Sequence, residues 1–175
     1  MTEKQEKILN AALELFAEEG YGSTSTSKIA KKAGVSEGLI FRHFTNKEGL
    51  LEAISKEGES RLKVLFANIV MESDPQEVIN KTFRIASEIA MDSEQSHFWK
   101  LQYKLKWETE LYDEKKMEPI RNALTTAFEK LGYQNPEQEA DILLLLLDGL
   151  ATRYFLSDNF DMENMIEFLL IKYQE

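Results

Sequence analysis

One stretch of the chain, from Ser25 to Lys47, limits the possible folds more than any other part of the sequence. It reads STSKIAKKAGVSEGLIFRHFTNK, and its apolar residues recur at helical spacing on both sides of a glycine. Two helices that cross steeply need a small residue where their backbones approach, and Ala30 supplies one. The turn between them needs a residue that tolerates a left-handed conformation, and Gly34 supplies it. The stretch therefore predicts a helix-turn-helix, in which the second helix enters the major groove of DNA.

The charges of this stretch favour a polyanionic partner. It contains five basic residues and one acidic residue, whereas the whole chain has a formal charge of −10. A basic island on an acidic protein indicates one focused site for a polyanion. The alternative explanation is a helical hairpin whose lysines are simply solvated.

The residues around the hairpin resemble a known protein family. The segments ILNAALELFAEEGYG and IAKKAGVSEGLIFRHFTNKEGLL are similar to the N-terminal domain of the TetR family, the one-component bacterial repressors. The resemblance is dense over about residues 5 to 54 and elsewhere extends only to length and helical content. It implies an all-α fold of about nine helices: a three-helix, helix-turn-helix head and a helical body that binds a ligand and dimerises. We expect the DNA-binding head at residues 1–46 and the body at residues 47–175.

The resemblance also implies which residues contact DNA. A capped helix start offers free backbone amides to a phosphate, and the hydroxyls of its first turn add donors. The expected contact residues are Thr26, Ser27, Glu37, Gly38, Leu39, Phe41, Arg42, His43 and Lys47.

Two of these positions leave alternatives open. Glu37 could accept a hydrogen bond from cytosine, or it could be a solvated carboxylate stabilised by the helix dipole. Most members of the family carry tyrosine where this chain has Phe41, and that hydroxyl reaches a phosphate. Phenylalanine cannot donate, so Phe41 either stacks on a sugar or packs inward.

Capping residues predict where the helices begin. Ser25 and Ser36 are expected to cap the two helices of the hairpin. The sequence T-N-K-E, from Thr45 to Glu48, predicts a capping box that opens a long helix running to about Met71.

The middle of the chain is rich in aromatic residues. The segment HFWKLQYKLKWETELY, which ends at Tyr112, carries aromatic side chains at helical spacing, a pattern usually explained by an ordinary core. The resemblance implies instead that the middle helices surround a ligand cavity. Interleaved lysines and glutamates leave the charge of the ligand undetermined. The expected pocket residues are Phe66, Phe83, Phe98, Trp99, Tyr103, Trp107 and Phe128.

The last two predicted helices carry more apolar surface than one core can cover. The segment ADILLLLLDGLATRYFL is apolar nearly all round from Ile142 to Leu147, and the helix after it is also strongly apolar. A four-helix bundle between two chains would cover both, and the resemblance implies the same dimer. Both helices could instead serve the core of their own protomer. The expected interface residues are Leu145, Gly149, Thr152, Met165, Phe168 and Leu169.

The composition argues against several other classes of protein. The chain has no cysteine, and His43 and His97 lie far apart, so we expect no metal and no cofactor. It opens MTEKQEK, and no apolar run approaches the roughly 20 residues that cross a bilayer, so we expect a cytoplasmic protein without a membrane partner. A phosphate loop, a G-x-S-x-G elbow and a cysteine nucleophile are missing, so we do not expect an enzyme.

Together these features predict a dimeric, ligand-responsive transcriptional regulator, in the first place a repressor. Each dimer would present two recognition helices to a palindromic operator on double-stranded DNA. A small apolar or amphipathic effector would release it by binding the released state more tightly. The alternative is a DNA-binding regulator without a small-molecule ligand, either constitutive or controlled by a partner protein.

Overall fold

The computed structural model describes residues 1–110 and 113–174, and these residues form nine α-helices, one 3-10 helix and no strand. The helices are α1 (Glu3–Glu19), α2 (Thr26–Ala33), α3 (Glu37–Phe44), α4 (Lys47–Val70), α5 (Pro75–Met91), α6 (Ser93–Thr109), α7 (Glu118–Lys130), α8 (Pro136–Leu156) and α9 (Met162–Lys172), with the 3-10 helix at Glu114–Met117. The all-α prediction is therefore confirmed over the described residues. None of these helices has the length and apolar character needed to span a membrane.

The chain divides into two compact units that differ in charge. Unit 1 comprises Met1–Arg61 and His97–Tyr112, and unit 2 comprises Leu62–Ser96 and Asp113–Glu175. Counted from the sequence, unit 1 has 12 Lys and Arg against 12 Asp and Glu, and unit 2 has 9 against 19. Unit 2 therefore carries the whole net charge of −10. The functional boundary expected between residues 46 and 47 stays a prediction, since the compact units have other limits.

Unit 1 is built around the apolar face of α1. Ile8, Ala12 and Phe16 recur at helical spacing, and all three are fully buried. Helix α1 packs on α2, which in turn packs on α3, and Ile29 and Ile40 are the fully buried residues of those two helices. Burial of side chains of this size typically contributes about 1.5–3 kcal/mol each, so α1 supplies the support on which the hairpin rests.

The hairpin turn forms as its sequence predicts. Ser25 caps α2 by accepting a hydrogen bond from the backbone N–H of Lys28 at 3.2 Å. Gly34 ends α2 with φ 68° and ψ 34°, the left-handed conformation that favours glycine. The N–H of Val35 then donates to the carbonyl of Ala30 at 3.0 Å, which closes the end of the helix. Both the predicted cap and the predicted turn residue are confirmed.

The turn between α3 and α4 corrects the predicted capping box. Thr45 has φ 68° and ψ −50°, and the N–H of Asn46 donates to the carbonyl of Phe44 at 2.7 Å. This is a γ-turn of the strained, positive-φ form, with Thr45 at its corner. Helix α4 is capped one residue later, because Asn46 Oδ1 accepts from the N–H of Gly49 at 2.8 Å. The predicted cap at Thr45 is therefore wrong.

The first turn of α4 lies directly against the end of α3. A Cβ atom on residue 49 would lie 2.0 Å from the carbonyl oxygen of Phe44 and 3.1 Å from its carbonyl carbon. These are backbone atoms and cannot turn aside as a side chain can. This close approach therefore requires glycine at position 49, and it sets the direction of α4 relative to α3.

Unit 2 has its own apolar core. Phe83 of α5 and Phe128 of α7 are fully buried, and their rings lie 5.6 Å and 5.9 Å from the ring of Tyr173. Helix α7 packs on α5 and α8, and α9 packs on α5. After α4, Glu72 pairs with Lys81 and accepts two backbone N–H groups, and this arrangement lowers the pKa of Glu72 to about 2.

Replacing Gly49 with alanine is expected to destabilise the protein by about 1–3 kcal/mol, because the added methyl group overlaps the backbone of Phe44. Urea unfolding measures the effect. The matched control is Gly38→Ala within α3, where a Cβ meets nothing within 4 Å, so helix stability should rise by about 0.5–1 kcal/mol. Equal unfolding free energies for Gly49→Ala and the wild type would contradict the proposed constraint.

Candidate nucleic-acid interface

Helix α3 has one buried face and one exposed face. Ile40 is fully buried against the rest of unit 1. Gly38, Phe41 and Arg42 are exposed, while Glu37, Leu39 and His43 are half-buried. Phe41 is 48% exposed, so its ring does not pack into the core, although it cannot donate a hydrogen bond. The structure thus brings the predicted α3 contacts together along one helix of unit 1.

Two of the basic residues in the hairpin are already paired with acids. Lys28 forms an ion pair with Glu19 of α1, and Lys32 forms one with Glu14 at 2.5 Å. The hydrogen bond to Glu14 raises the pKa of Lys32. Arg42 is exposed and has no ion pair or side-chain hydrogen bond within the described residues. The formal charge of the hairpin therefore overstates the cationic surface that it can offer to a partner.

Lys47, which follows α3 in the chain, also holds the loop between α1 and α2 through hydrogen bonds. Its Nζ donates to the carbonyl oxygens of Tyr21 at 2.9 Å and Thr24 at 3.2 Å, and it lies 4.4 Å from the centre of the Tyr21 ring. These contacts tie the loop before α2 to the first turn of α4. An ammonium group has three donors, so one remains for a phosphate. A cation in the first turn of a helix is unfavourable because it opposes the helix dipole. The contacts with the two carbonyl oxygens explain why Lys47 is nevertheless found in the first turn of α4.

The structure joins two residues that the sequence predicted as separate contacts. The hydroxyl of Thr26 donates to the carboxylate of Glu37 at 2.5 Å. Thr26 is the first residue of α2, and Glu37 is the first residue of α3. Ser36 occupies the capping position of α3, but its side chain makes no capping hydrogen bond. The first turns of the two helices are therefore linked through side chains, while Ser27 next to Thr26 stays exposed.

A weaker contact links the end of α3 to the start of α1. The side-chain nitrogen of Gln5 lies 3.5 Å from Nδ1 of His43. Gln5 also takes part in the capping box of α1, because its side-chain oxygen accepts from the N–H of Thr2 at 2.8 Å. If Gln5 donates to Nδ1, the proton of His43 lies on Nε2, where it can donate outward.

The residues predicted for a ligand pocket fall into two sets. The first set belongs to unit 1 and comprises Phe98, Trp99, Tyr103 and Trp107. The second set belongs to unit 2 and comprises Phe66, Phe83 and Phe128. The members of the second set are all buried, whereas Trp107 is 76% exposed. Trp99 is buried, and its indole N–H has no hydrogen-bond partner among the described residues. Tyr112 lies outside the described residues.

The residues predicted for a dimer interface all belong to unit 2, and all but one are exposed. Leu145 of α8 is 70% exposed, and Phe168 of α9 is 61% exposed. Leu169 is only 5% exposed and packs into the core of unit 2. Consecutive residues of an α-helix point about 100° apart, and here Phe168 points to the surface while Leu169 points inward. Leu169 therefore serves the core of its own protomer. The exposed members are Leu145, Gly149, Thr152, Met165 and Phe168.

Comparison with known proteins links the N-terminal segment to one family. Residues 8–54 match the family model described as bacterial regulatory proteins, tetR family. The chain is 47% identical over 60 residues to the uncharacterized HTH-type transcriptional regulator YvkB of Bacillus subtilis, which covers 34% of this chain and 32% of that protein. It is 48% identical over 54 residues to the fatty acid metabolism regulator protein of B. subtilis, and this match covers 31% of this chain and 28% of that protein. The chain thus spans about a third of the length of these relatives.

Solved structures resemble the chain over nearly its whole length. A bacterial regulatory protein in the tetR family from Rhodococcus superposes with a TM-score of 0.73 at 23% identity, covering 98% of this chain and 97% of that one. The transcriptional regulator FadR of B. subtilis, in complex with stearoyl-CoA, superposes with a TM-score of 0.67 at 20% identity, covering 95% of each. At these identities the likeness concerns the fold alone.

Replacing Arg42 with alanine is expected to weaken binding to a recognised DNA duplex by about 1–3 kcal/mol, because α3 loses an exposed guanidinium that no described residue pairs with. Fluorescence anisotropy with a labelled duplex measures the dissociation constant.

The matched control is Lys28→Ala, which removes the same formal charge from a side chain that is paired with Glu19. Its effect should be several times smaller. Equal losses for the two variants would show that only the net charge matters, and this would contradict the contact assigned to Arg42.

Proposed function

The chain belongs to the TetR family of bacterial regulatory proteins, and on that premise we propose that it is a dimeric transcriptional regulator. It binds a palindromic operator on double-stranded DNA through its helix-turn-helix and acts as a repressor. A small apolar or amphipathic ligand releases it from the operator. The ligand must bind the released state more tightly than the DNA-bound state, since equal affinity would shift nothing.

The exposed face of α3 is the observation that carries this proposal. The major groove of B-DNA is about 12 Å wide and admits one α-helix. Gly38 lets the backbone of α3 approach the base edges closely, and Arg42 offers charge-assisted hydrogen bonds near the end of the helix. Unit 2, with its excess of acidic residues, is repelled by phosphate, so the neutral unit 1 is the favoured contact surface.

A dimer is supported by apolar side chains that unit 2 leaves exposed. Helix α8 exposes Ile142, Leu145 and Leu156, and α9 exposes Phe168 and Ile171. Ile142 and Leu145 lie three residues apart and are therefore neighbours on the surface of α8. Exposed apolar surface that is contiguous commonly marks a site of protein–protein interaction. A two-fold dimer would cover them and would carry two recognition helices to the half-sites of a palindrome.

For the ligand we propose a fatty acyl compound. One relative is named a fatty acid metabolism regulator, and one similar fold was solved with stearoyl-CoA. The sequence match to the first lies in the N-terminal segment, so it supports the DNA-binding head more directly than the ligand. A regulator without a small molecule is the second candidate. It is favoured by the close packing of Phe83 and Phe128 on Tyr173 in the core of unit 2.

Replacing Gly149 with tryptophan is expected to weaken the dimer at least about tenfold, because this position lies on the proposed interface. A Cβ at Gly149 meets nothing within 4 Å in its own protomer, so the variant should fold. Sedimentation velocity measures the dimer, and binding to a palindrome selected by the wild type from random duplexes should fall with it. Val64→Trp is the matched control, since Val64 is also exposed and lies on α4. A fully dimeric Gly149→Trp protein would contradict the proposed interface.

Stearoyl-CoA is expected to stabilise the protein against heat and to release the selected palindrome. At 100 times the dissociation constant, binding adds about 2.7 kcal/mol, which corresponds to about 5–10 °C in Tm for a chain of this size. Free coenzyme A is the matched control, because it lacks the acyl chain, and it should leave Tm unchanged. Equal Tm values with stearoyl-CoA, coenzyme A and buffer would favour the regulator without a ligand.

A further inference from the structure

We propose that Thr26 is a positioning residue for Glu37, and that the carboxylate it holds reads the amino group of a cytosine in the major groove. This inference rests on the proposed DNA-binding function and assigns a specificity to its interface. It also removes Thr26 from the residues that donate to phosphate. The bond between the two side chains, at 2.5 Å, is the observation from which the inference starts.

The bond joins two helix starts across the hairpin turn. Thr26 begins α2 and Glu37 begins α3, and both side chains are half-buried. Thr26 is itself held in place, because α2 is capped by Ser25 and packs on α1. A glutamate side chain has three rotatable bonds and would otherwise lose that freedom on binding. The hydroxyl of Thr26 therefore fixes the carboxylate in advance.

The Thr26 hydroxyl has a single proton, and this limits the hydrogen bonds that Thr26 can donate to DNA. A hydroxyl has one donor and two lone pairs, and the donor is engaged by Glu37. A phosphate oxygen that approached Thr26 would meet those lone pairs and a nearby carboxylate. While the bond persists, Thr26 cannot donate to phosphate. The adjacent Ser27 has an exposed hydroxyl and remains available for that contact.

The second oxygen of the Glu37 carboxylate remains available to accept a hydrogen bond. The residues that the structure describes place no lysine or arginine within ion-pairing distance of Glu37. Two lysines of α2, Lys28 and Lys32, pair instead with acids of α1. Glu37 therefore keeps an acceptor that is neither neutralised nor satisfied by the described part of the chain.

The chemistry of the base edges selects the partner. A carboxylate only accepts hydrogen bonds, and the donors in the major groove are the amino groups of cytosine and adenine. Adenine presents its N7 acceptor beside the amino group, and that acceptor repels a carboxylate. Cytosine presents the amino group alone. A carboxylate held at the start of a recognition helix therefore favours cytosine at one position of each half-site.

Selection from random duplexes, followed by competition between duplexes that differ at one base pair, tests the inference. The wild type should prefer cytosine at one position of each half-site, by about tenfold or more. Glu37→Gln should change the preference at that position to adenine, which glutamine reads through its amide, and should leave the other positions unchanged. Thr26→Val should reduce discrimination at the same position about tenfold. Thr26→Ser, which keeps the hydroxyl, should restore it.

The outcomes separate the inference from the function on which it rests. If Thr26→Val weakens binding to all sequences equally and keeps every base preference, Thr26 is a phosphate contact and the inference is overturned. The inference also fails, with DNA binding intact, if Glu37→Gln leaves the selected sequence unchanged. If the folded wild type selects no sequence at all, the proposed function itself fails. Circular dichroism melting of each variant checks that the helices are retained.

Discussion

The orientation of the recognition helix depends on a backbone contact that leaves no space for a side chain. At the end of α3, the γ-turn at Thr45 reverses the chain within a single residue, and Gly49 lies against the carbonyl of Phe44. Asn46 then caps α4 so that the new helix starts at once. A helix held in this way by backbone atoms has little freedom to tilt. Groups that must meet a partner within a fraction of an ångström are best carried by such rigid elements.

Ion pairs inside unit 1 reduce the number of basic side chains that are free to bind a partner. The hairpin looks strongly cationic along the sequence, but acids of α1 are paired with Lys28 and Lys32. Exposed ion pairs of this kind contribute little to stability, typically less than about 1 kcal/mol. Their effect is to fix where the ammonium groups point. The cationic surface that the hairpin offers to a partner therefore rests on fewer side chains than the composition indicates, and Arg42 is the exposed arginine on α3.

Local features of the sequence predicted much of the fold. The all-α class, the cap at Ser25 and the left-handed turn at Gly34 each depend on residues that lie within one or two turns of one another. The features that escaped prediction depend on contacts between elements. The bond from Thr26 to Glu37 crosses the hairpin turn, and the contacts of Lys47 reach a loop more than twenty residues earlier.

Two further differences have the same origin. Asn46 caps α4 because Thr45 is used as the corner of a turn, and no capping pattern within the T-N-K-E sequence reveals that geometry. Leu169 is buried while Phe168 is exposed, and periodicity alone does not decide which face of an apolar helix meets its own core. The burial of α9 depends on where α5 lies. That position is a property of the folded unit rather than of the segment.

The half-exposed ring of Phe41 has a thermodynamic consequence for any complex that covers it. In the free protein, water surrounds almost half of this aromatic surface. Its removal from water is favoured by entropy near room temperature and lowers the heat capacity of the system. A complex formed through this ring should thus owe part of its affinity to released water, and that part should weaken on cooling. A tyrosine hydroxyl at the same position would add an enthalpic hydrogen bond, so the missing oxygen atom gives this surface a different temperature response.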